Sequence, residues 1–160
     1  MLYDRYHKRM LYYFYRMLGN QQEKARDFLQ DIFLKIIEKP EAFDCNRKFS
    51  TWIYSVAHNM CKNEYRKLSY RKNIDYETDI NELEKQDDEE NENYEITEKV
   101  FKIIESFDEE TRSAYLMRYR EGFPLKEIAK MLEIPEGTVK SKLFYTNKKL
   151  CEKLKAINLI

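Results

Sequence analysis

Apolar residues recur along this chain at the spacing of helices, and no segment shows the alternation typical of a half-buried strand. The pattern predicts an all-α fold with helices at residues 2–18, 22–38, 49–70, 96–106, 108–121, 125–132 and 136–154. Gly19-Asn20 and Pro40 mark the ends of the first two helices. Asp108 is the predicted N-cap of the fifth.

The last two predicted helices form a helix-turn-helix pattern. Their apolar positions give each helix one face to pack against the other: Leu125, Ile128, Ala129 and Leu132, then Val139, Leu143 and Leu150. Pro135 suits the first position of the second helix. The outward side chains of that helix are cations and hydroxyl donors suited to an anionic DNA groove: Thr138, Lys140, Ser141, Lys142, Tyr145 and Lys148. An ordinary helical hairpin with a solvated lysine face is the alternative interpretation.

Two N-terminal helices also have distinct faces. The second predicted helix has a wide apolar side, and its opposite side carries Asp27, Gln30, Asp31, Lys35 and Glu38. Such a helix is either merely solvated on its polar side or docks a protein partner. The third predicted helix buries Trp52 by its spacing and presents a basic, amide-bearing stripe of Asn59, Lys62, Asn63 and Arg66, with His58 alongside. This stripe suits phosphates and base edges, although a solvated surface is the more common meaning of such a pattern.

Charge is strongly segregated although the net charge is zero. Residues 1–73 hold 15 Lys and Arg against 8 Asp and Glu, a net of +7; residues 74–98 hold 1 against 12, a net of −11; residues 99–160 hold 13 against 9, a net of +4. The acidic stretch contains few large apolar residues and repels itself, which favours an extended linker. We therefore predict two small helical domains, 1–73 and 96–160, joined by an acidic flexible linker, 74–95.

Several classes of function are disfavoured by composition. The three cysteines, Cys45, Cys61 and Cys151, are widely spaced and form no metal or disulfide pattern. With three glycines there is no phosphate-cradling loop, and no catalytic Ser/His/Asp arrangement is present. We expect no catalytic residue, no metal and no cofactor. Without a long apolar run or a signal-peptide pattern, we also expect a cytoplasmic protein that does not insert into a membrane.

Ordered motifs on both sides of the linker resemble the extracytoplasmic-function (ECF) sigma factors, the compact bacterial class with only the second and fourth sigma domains. In the second domain the resemblance rests on residues 3–6, 16–19, 27–35, 43–44 and 48–59. In the fourth it rests on Phe107, Arg112, Leu116 and residues 118–119, 121–123, 127–129 and 134–143. The resemblance covers nearly the whole chain, and it is far more specific than one helix-turn-helix.

This resemblance implies a protein that binds core RNA polymerase and directs promoter recognition and melting. Asp27, Gln30, Asp31 and Lys35 would contact the β′ clamp helices, and the β flap would be a further polymerase contact. The loop 44–48, with Asp44, Asn46, Arg47 and Lys48, would capture a base of the minus-ten element, aided by the adjoining Trp52. The stripe Asn59, Lys62, Asn63 and Arg66 would hold upstream DNA. Thr138, Lys140, Ser141, Lys142, Phe144, Tyr145 and Lys148 would meet the minus-thirty-five element.

Three questions stay open at the level of sequence. Relatives usually carry glycine where this chain has Glu133, which costs about 1 kcal/mol if the turn is left-handed there. Many relatives have an inhibitory anti-sigma partner, which the sequence does not identify. A stand-alone helix-turn-helix regulator is the alternative function, although it would need a dimer interface to span two half-sites. A pure protein-interaction adaptor is a third hypothesis.

Overall fold

The computed structural model describes residues 1–72 and 92–160. Within these ranges the chain forms seven α-helices joined by short connections. They are α1 (Leu2–Met17), α2 (Gln22–Glu38), α3 (Phe49–Lys72), α4 (Glu92–Ile104), α5 (Glu109–Tyr115), α6 (Leu125–Leu132) and α7 (Glu136–Ala156). A 3₁₀ turn at Pro40–Ala42 follows α2, and a π-helical segment at Leu116–Arg120 continues α5.

The prediction of an all-α fold is confirmed for the described residues. The bounds differ most at two helix ends. α4 begins at Glu92 instead of residue 96, and α5 ends at Tyr115, after which a π-helical segment runs to Arg120 where the sequence predicts α-helix to residue 121. Residues 74–91 of the predicted linker 74–95 lie outside the described residues, and residues 92–95 form the first turn of α4. No helix in the described ranges is both long and apolar enough to cross a membrane.

The N-terminal half, residues 1–72, packs α1, α2 and α3 around one core because each helix carries an apolar stripe at helical spacing. Its fully buried side chains come from all three helices: Met10, Tyr13, Phe14, Met17, Ala25, Ile32, Ile53, Tyr54 and Ala57. The C-terminal half, residues 92–160, has a core of its own, whose buried side chains include Ile104, Ala114, Leu116, Met117, Ile128, Met131 and Val139.

The two halves also pack against each other. The Tyr13 hydroxyl of α1 lies 2.6 Å from the Ser113 hydroxyl of α5 in a buried contact. The ring of Tyr54 meets that of Phe123 edge-on, with centroids 5.2 Å apart. Because all four side chains are buried, the cores of the halves are continuous in this arrangement.

Two buried arginines reinforce the contact between the halves. Arg16, only 4% exposed, donates to the Glu98 carboxylate at 2.6 Å and lies over the Phe101 ring at 4.1 Å. Arg112 donates at 3.1 Å to the carbonyl of Met17 across the contact, and also to two carbonyls of the turn that precedes α5. We call this arrangement of the two halves the closed arrangement.

Candidate nucleic-acid and protein interfaces

The α6–α7 turn gives the helix-turn-helix its angle. α6 ends at Leu132, and Glu133 adopts φ 57° and ψ 42°, the left-handed conformation. The N–H of Ile134 then donates to the carbonyl of Ala129 at 3.1 Å, which closes the turn. Glu133 thus keeps a conformation that glycine adopts at lower cost.

The solvent-facing side of α7 lies opposite the buried Val139 and Leu143. It carries most of the side chains predicted to face DNA, and all of the following are exposed: Lys140, Ser141, Phe144, Tyr145 and Lys148. Thr138 is half-buried at the start of the helix. The exposed face therefore combines cations, a hydroxyl and two aromatic rings, and it is free to meet an anionic groove.

Lys142, predicted to face DNA, instead points toward α5. Its ammonium lies 3.6 Å from Asp108, 3.3 Å from Glu110 and 3.3 Å from the Thr111 hydroxyl, and its side chain is 22% exposed. Asp108 caps α5 by accepting from the Thr111 N–H at 2.7 Å, as the sequence predicts. Burial alone would raise the pKa of Asp108, but the Thr111 hydrogen bonds and the Lys142 cation outweigh burial and lower it. Lys142 therefore links α7 to the N-terminus of α5 through ion pairs and a hydrogen bond.

The loop 44–48 is a turn exposed to solvent between the 3₁₀ turn and α3. The Asp44 carboxylate accepts from the Asn46 N–H at 2.9 Å, and the Arg47 N–H donates to the Asp44 carbonyl at 2.9 Å. Asp44 thus shapes the turn and leaves the Asn46 and Arg47 side chains directed to solvent. The exposed ammonium of Lys48 lies 3.4 Å from Glu127 of α6 in the closed arrangement.

An aromatic cluster supports this loop. The rings of Phe43, Phe49 and Trp52 meet in pairs, with centroids 5.3–5.7 Å apart. Trp52 is half-buried rather than part of the enclosed core, so one part of its ring is held by packing and another part is accessible. The loop therefore stands on a packed aromatic base.

The predicted basic stripe on α3 is only partly accessible. Asn59, Asn63 and Arg66 are exposed, and Lys62 is half-buried. His58 is buried at 2% exposure, and neither ring nitrogen has a hydrogen-bond partner among the described residues. Burial, helped by the nearby Lys62 and opposed by Glu109, lowers the pKa of His58 to about 4. His58 is therefore a neutral packing residue at neutral pH and not a member of the stripe.

On α2 the predicted polar face is exposed at every position: Asp27, Gln30, Asp31 and Lys35. Two apolar side chains accompany it, Leu34 at 51% exposure and Ile37 at 74%. Helical spacing puts Ile37 with the apolar residues of α2, yet its side chain is exposed, and Leu34 lies outside that apolar side. Its spacing could have indicated that Leu34 is exposed, since Leu34 stands three residues after Asp31 on the same side of the helix. Exposed apolar residues among carboxylates are typical of a protein-binding face.

Two family models match the chain, one on each side of the acidic stretch. Sigma-70 region 2 matches residues 2–71, and Sigma-70 region 4 matches residues 97–150. The curated relatives include the ECF RNA polymerase sigma factor SigW of Bacillus subtilis, 30% identical over 81% of this chain and 74% of that protein. The ECF RNA polymerase sigma-E factor of Escherichia coli is 29% identical over 82% of this chain and 74% of that protein.

Solved structures show the same fold at lower identity. The sigma factor RpoE in complex with the anti-sigma factor NepR from Bartonella quintana aligns with a TM-score of 0.75 at 17% identity, over 96% of this chain and 94% of that one. CnrH in complex with the cytosolic domain of CnrY aligns with a TM-score of 0.69 at 19% identity, over 97% of this chain and 86% of that one.

Proposed function

The chain belongs to the ECF family of RNA polymerase sigma factors, and from that premise we propose which of its surfaces meets polymerase and which meets promoter DNA. As a sigma factor it binds core RNA polymerase and directs it to promoters. A free-standing helix-turn-helix regulator does not account for the match of residues 2–71 to region 2.

The exposed face of α2 binds the β′ clamp helices in this proposal. It offers carboxylates at Asp27 and Asp31 and the exposed apolar Leu34 and Ile37. Burial of apolar side chains contributes affinity, and the flanking carboxylates orient a basic partner. The β flap would contact the C-terminal half, residues 92–160.

The loop 44–48 and the exposed part of the α3 stripe bind the minus-ten element. The loop directs Asn46 and Arg47 to solvent above the aromatic base, where they can reach an extruded base and the backbone. Asn59, Asn63 and Arg66 continue the surface along α3.

The exposed face of α7 binds the minus-thirty-five element. The observation that carries this assignment is that Lys140, Ser141 and Lys148 remain exposed on the second helix of a helix-turn-helix, the side that enters a major groove in such motifs. The chain itself performs no chemistry and acts in the cytoplasm, where the polymerase is.

An anti-sigma protein is a further proposed partner. The neighbour RpoE was solved in complex with the anti-sigma factor NepR, and CnrH was solved with the cytosolic domain of CnrY. The fold that these proteins present to their partners is shared by this chain, which supports a partner of the same kind.

Reconstitution with core RNA polymerase tests the assignment of α2. Tagged wild-type chain should retain core polymerase and produce discrete transcripts from bacterial genomic DNA fragments. Asp31→Ala combined with Leu34→Ala should abolish retention of core polymerase while leaving the helical content unchanged. Glu152→Ala, which removes an exposed carboxylate at the far end of α7, is the charge-matched control and should behave as wild type. Equal retention by the α2 variant and the control would contradict the assignment.

A further inference from the structure

Two large aromatic side chains stand exposed side by side on α7. Phe144 is 65% exposed and Tyr145 is 64% exposed, and their rings meet edge-on with centroids 5.5 Å apart. Ser141 precedes them by one helical turn and Lys148 follows them by one. The rings therefore occupy the middle of the face that the proposed function assigns to the minus-thirty-five element.

The neighbouring side chains make these rings more prominent. Lys142 is turned inward to Asp108 and Glu110, so it leaves the outer face. The Ser141 hydroxyl donates to the Gly137 carbonyl at 3.0 Å and so rises little above the backbone. Lys149 is exposed too, but its ammonium lies over the Phe107 ring at 5.0 Å, so the lysines left around the rings are Lys140 and Lys148.

The major groove offers little that suits an apolar ring. Guanine, adenine and cytosine present hydrogen-bond acceptors and donors there, and the C5-methyl group of thymine is the one apolar group on a base edge. Exposed aromatic rings gain free energy by covering apolar surface, and they leave polar base edges unsatisfied if they cover those instead. Lysines on both sides match the phosphates that border the groove.

We infer that Phe144 and Tyr145 recognise thymine methyl groups in the minus-thirty-five element, so that these two residues determine specificity for thymine-bearing base pairs. The inference rests on the proposed function of α7. The lysines hold the helix on the backbone of either sequence, and the aromatic pair distinguishes thymine from cytosine or an unmethylated pyrimidine at the same position.

The test begins with the holoenzyme, formed from the full chain and core polymerase. A duplex library with a randomised minus-thirty-five window is selected for binding, and the enriched window is expected to contain thymine. Deoxyuridine then replaces each thymine of that window in turn. This change removes only the methyl group and keeps base pairing. Affinity of the wild-type holoenzyme should fall roughly three- to fivefold at each methyl that a ring contacts.

Protein variants locate the effect. Holoenzyme with Phe144→Ala or Tyr145→Ala should bind the thymine and deoxyuridine duplexes equally at the position which that ring covers. Lys140→Ala is the matched control on the same face; it should weaken binding to both duplexes by one factor and keep their ratio. Deoxyuridine in the spacer outside the window should have no effect.

The outcomes separate the inference from the proposed function. An enriched window without thymine overturns the inference, as does an enriched thymine that deoxyuridine replaces without loss. A loss that persists in both aromatic variants also overturns it, because the methyl would then be contacted by another residue. Transcription from the selected promoter in any of these cases leaves the sigma function standing. A failure to enrich any window would contradict the role of α7 itself.

Discussion

At the scale of residues, two lysines separated by one position on α7 have different surroundings. Lys140 is exposed, whereas Lys142 lies among Asp108, Glu110 and Thr111. A side chain two positions further along a helix is rotated to a different face, so one lysine can serve DNA while the other joins two helices. The same residue type in one motif is thus available to a partner in one case and paired within the chain in the other.

Lys142→Ala is expected to destabilise the folded protein by about 1 kcal/mol, since it removes partly exposed ion pairs and a hydrogen bond at the start of α5. Lys140→Ala should leave stability within about 0.5 kcal/mol and instead lower the salt dependence of DNA binding by about one phosphate contact. Urea unfolding and promoter binding by the holoenzyme at several salt concentrations measure the two effects. If Lys142→Ala lowers the salt dependence and leaves unfolding unchanged, Lys142 is a DNA contact.

The buried His58 is expected to make the folded protein less stable in weak acid. An unfolded histidine binds a proton near pH 6.5, whereas the folded pKa is about 4, so the unfolded chain holds more protons between these values. The free energy of unfolding should therefore fall as pH drops from about 6.5 to about 4, by on the order of 3 kcal/mol.

His58→Gln cannot titrate and should flatten this part of the pH profile, as measured by urea unfolding at pH steps from 7.5 to 4. Asn59→Ala, an exposed neighbour on α3, is the control and should keep the wild-type slope. A His58→Gln profile parallel to wild type would show that another group causes the acid sensitivity.

At the scale of elements, the α6–α7 turn is closed by a hydrogen bond but contains a strained residue. Glu133 holds φ 57°, a conformation that costs a residue with a Cβ about 1 kcal/mol. Glu133→Gly should raise the free energy of unfolding by about 0.5–1 kcal/mol without changing the outer face of α7. Thermal unfolding measures this. Lys130→Gly, inside α6, is the control and should lower the free energy of unfolding by about 1 kcal/mol. If Glu133→Gly lowers it by a similar amount, Glu133 is not strained.

The loop 44–48 is expected to affect melting more than assembly. Extruding a base costs a few kcal/mol, and the contacts of the loop with that base have to offset this cost. Replacing Asn46 and Arg47 by alanine should therefore reduce open-complex formation, measured by permanganate reactivity of unpaired thymines, and leave retention of core polymerase unchanged. Glu41→Ala, exposed in the preceding 3₁₀ turn, should behave as wild type. Equal loss of both activities would indicate misfolding instead.

At the scale of the whole molecule, the closed arrangement is too small for a promoter. A folded chain of this length is about 40 Å across. The minus-ten and minus-thirty-five elements are separated by about 25 base pairs, or roughly 85 Å of DNA at about 3.4 Å per pair. If α3 and α7 bind these two elements as proposed, the N-terminal and C-terminal halves have to separate before both contacts can form at once.

Glu98→Gln should favour that separation, because it leaves the buried Arg16 without its carboxylate partner. Loss of a charged partner from a buried group costs about 1–3 kcal/mol, and opening the contact lets water solvate Arg16. Small-angle scattering should show a larger radius of gyration for the free variant. Glu95→Gln is the matched control, since Glu95 is exposed and pairs with Lys99 on the same helix. Equal radii for Glu98→Gln and wild type would show that this ion pair does not hold the halves together.

The helices and most of their ends followed from the sequence because the forces that set them are local. Apolar residues three and four positions apart define a face within a single helix, and Asp108 needs only the N–H of Thr111, three residues away, to cap α5. The exposed positions of α2 and most of those on α7 followed for the same reason, since a polar side opposite an apolar side is a property of one helix.

Only the tertiary structure decided which polar residues stay accessible and how the halves meet. Lys142 turns inward because Asp108, more than thirty positions earlier, is brought beside it, and His58 is buried because α5 packs over α3. Leu34 and Ile37 remain exposed because no described element covers that side of α2. Helical periodicity assigns a residue to a face, but contacts between residues far apart in sequence determine whether that face meets solvent, a partner or the core of the same chain.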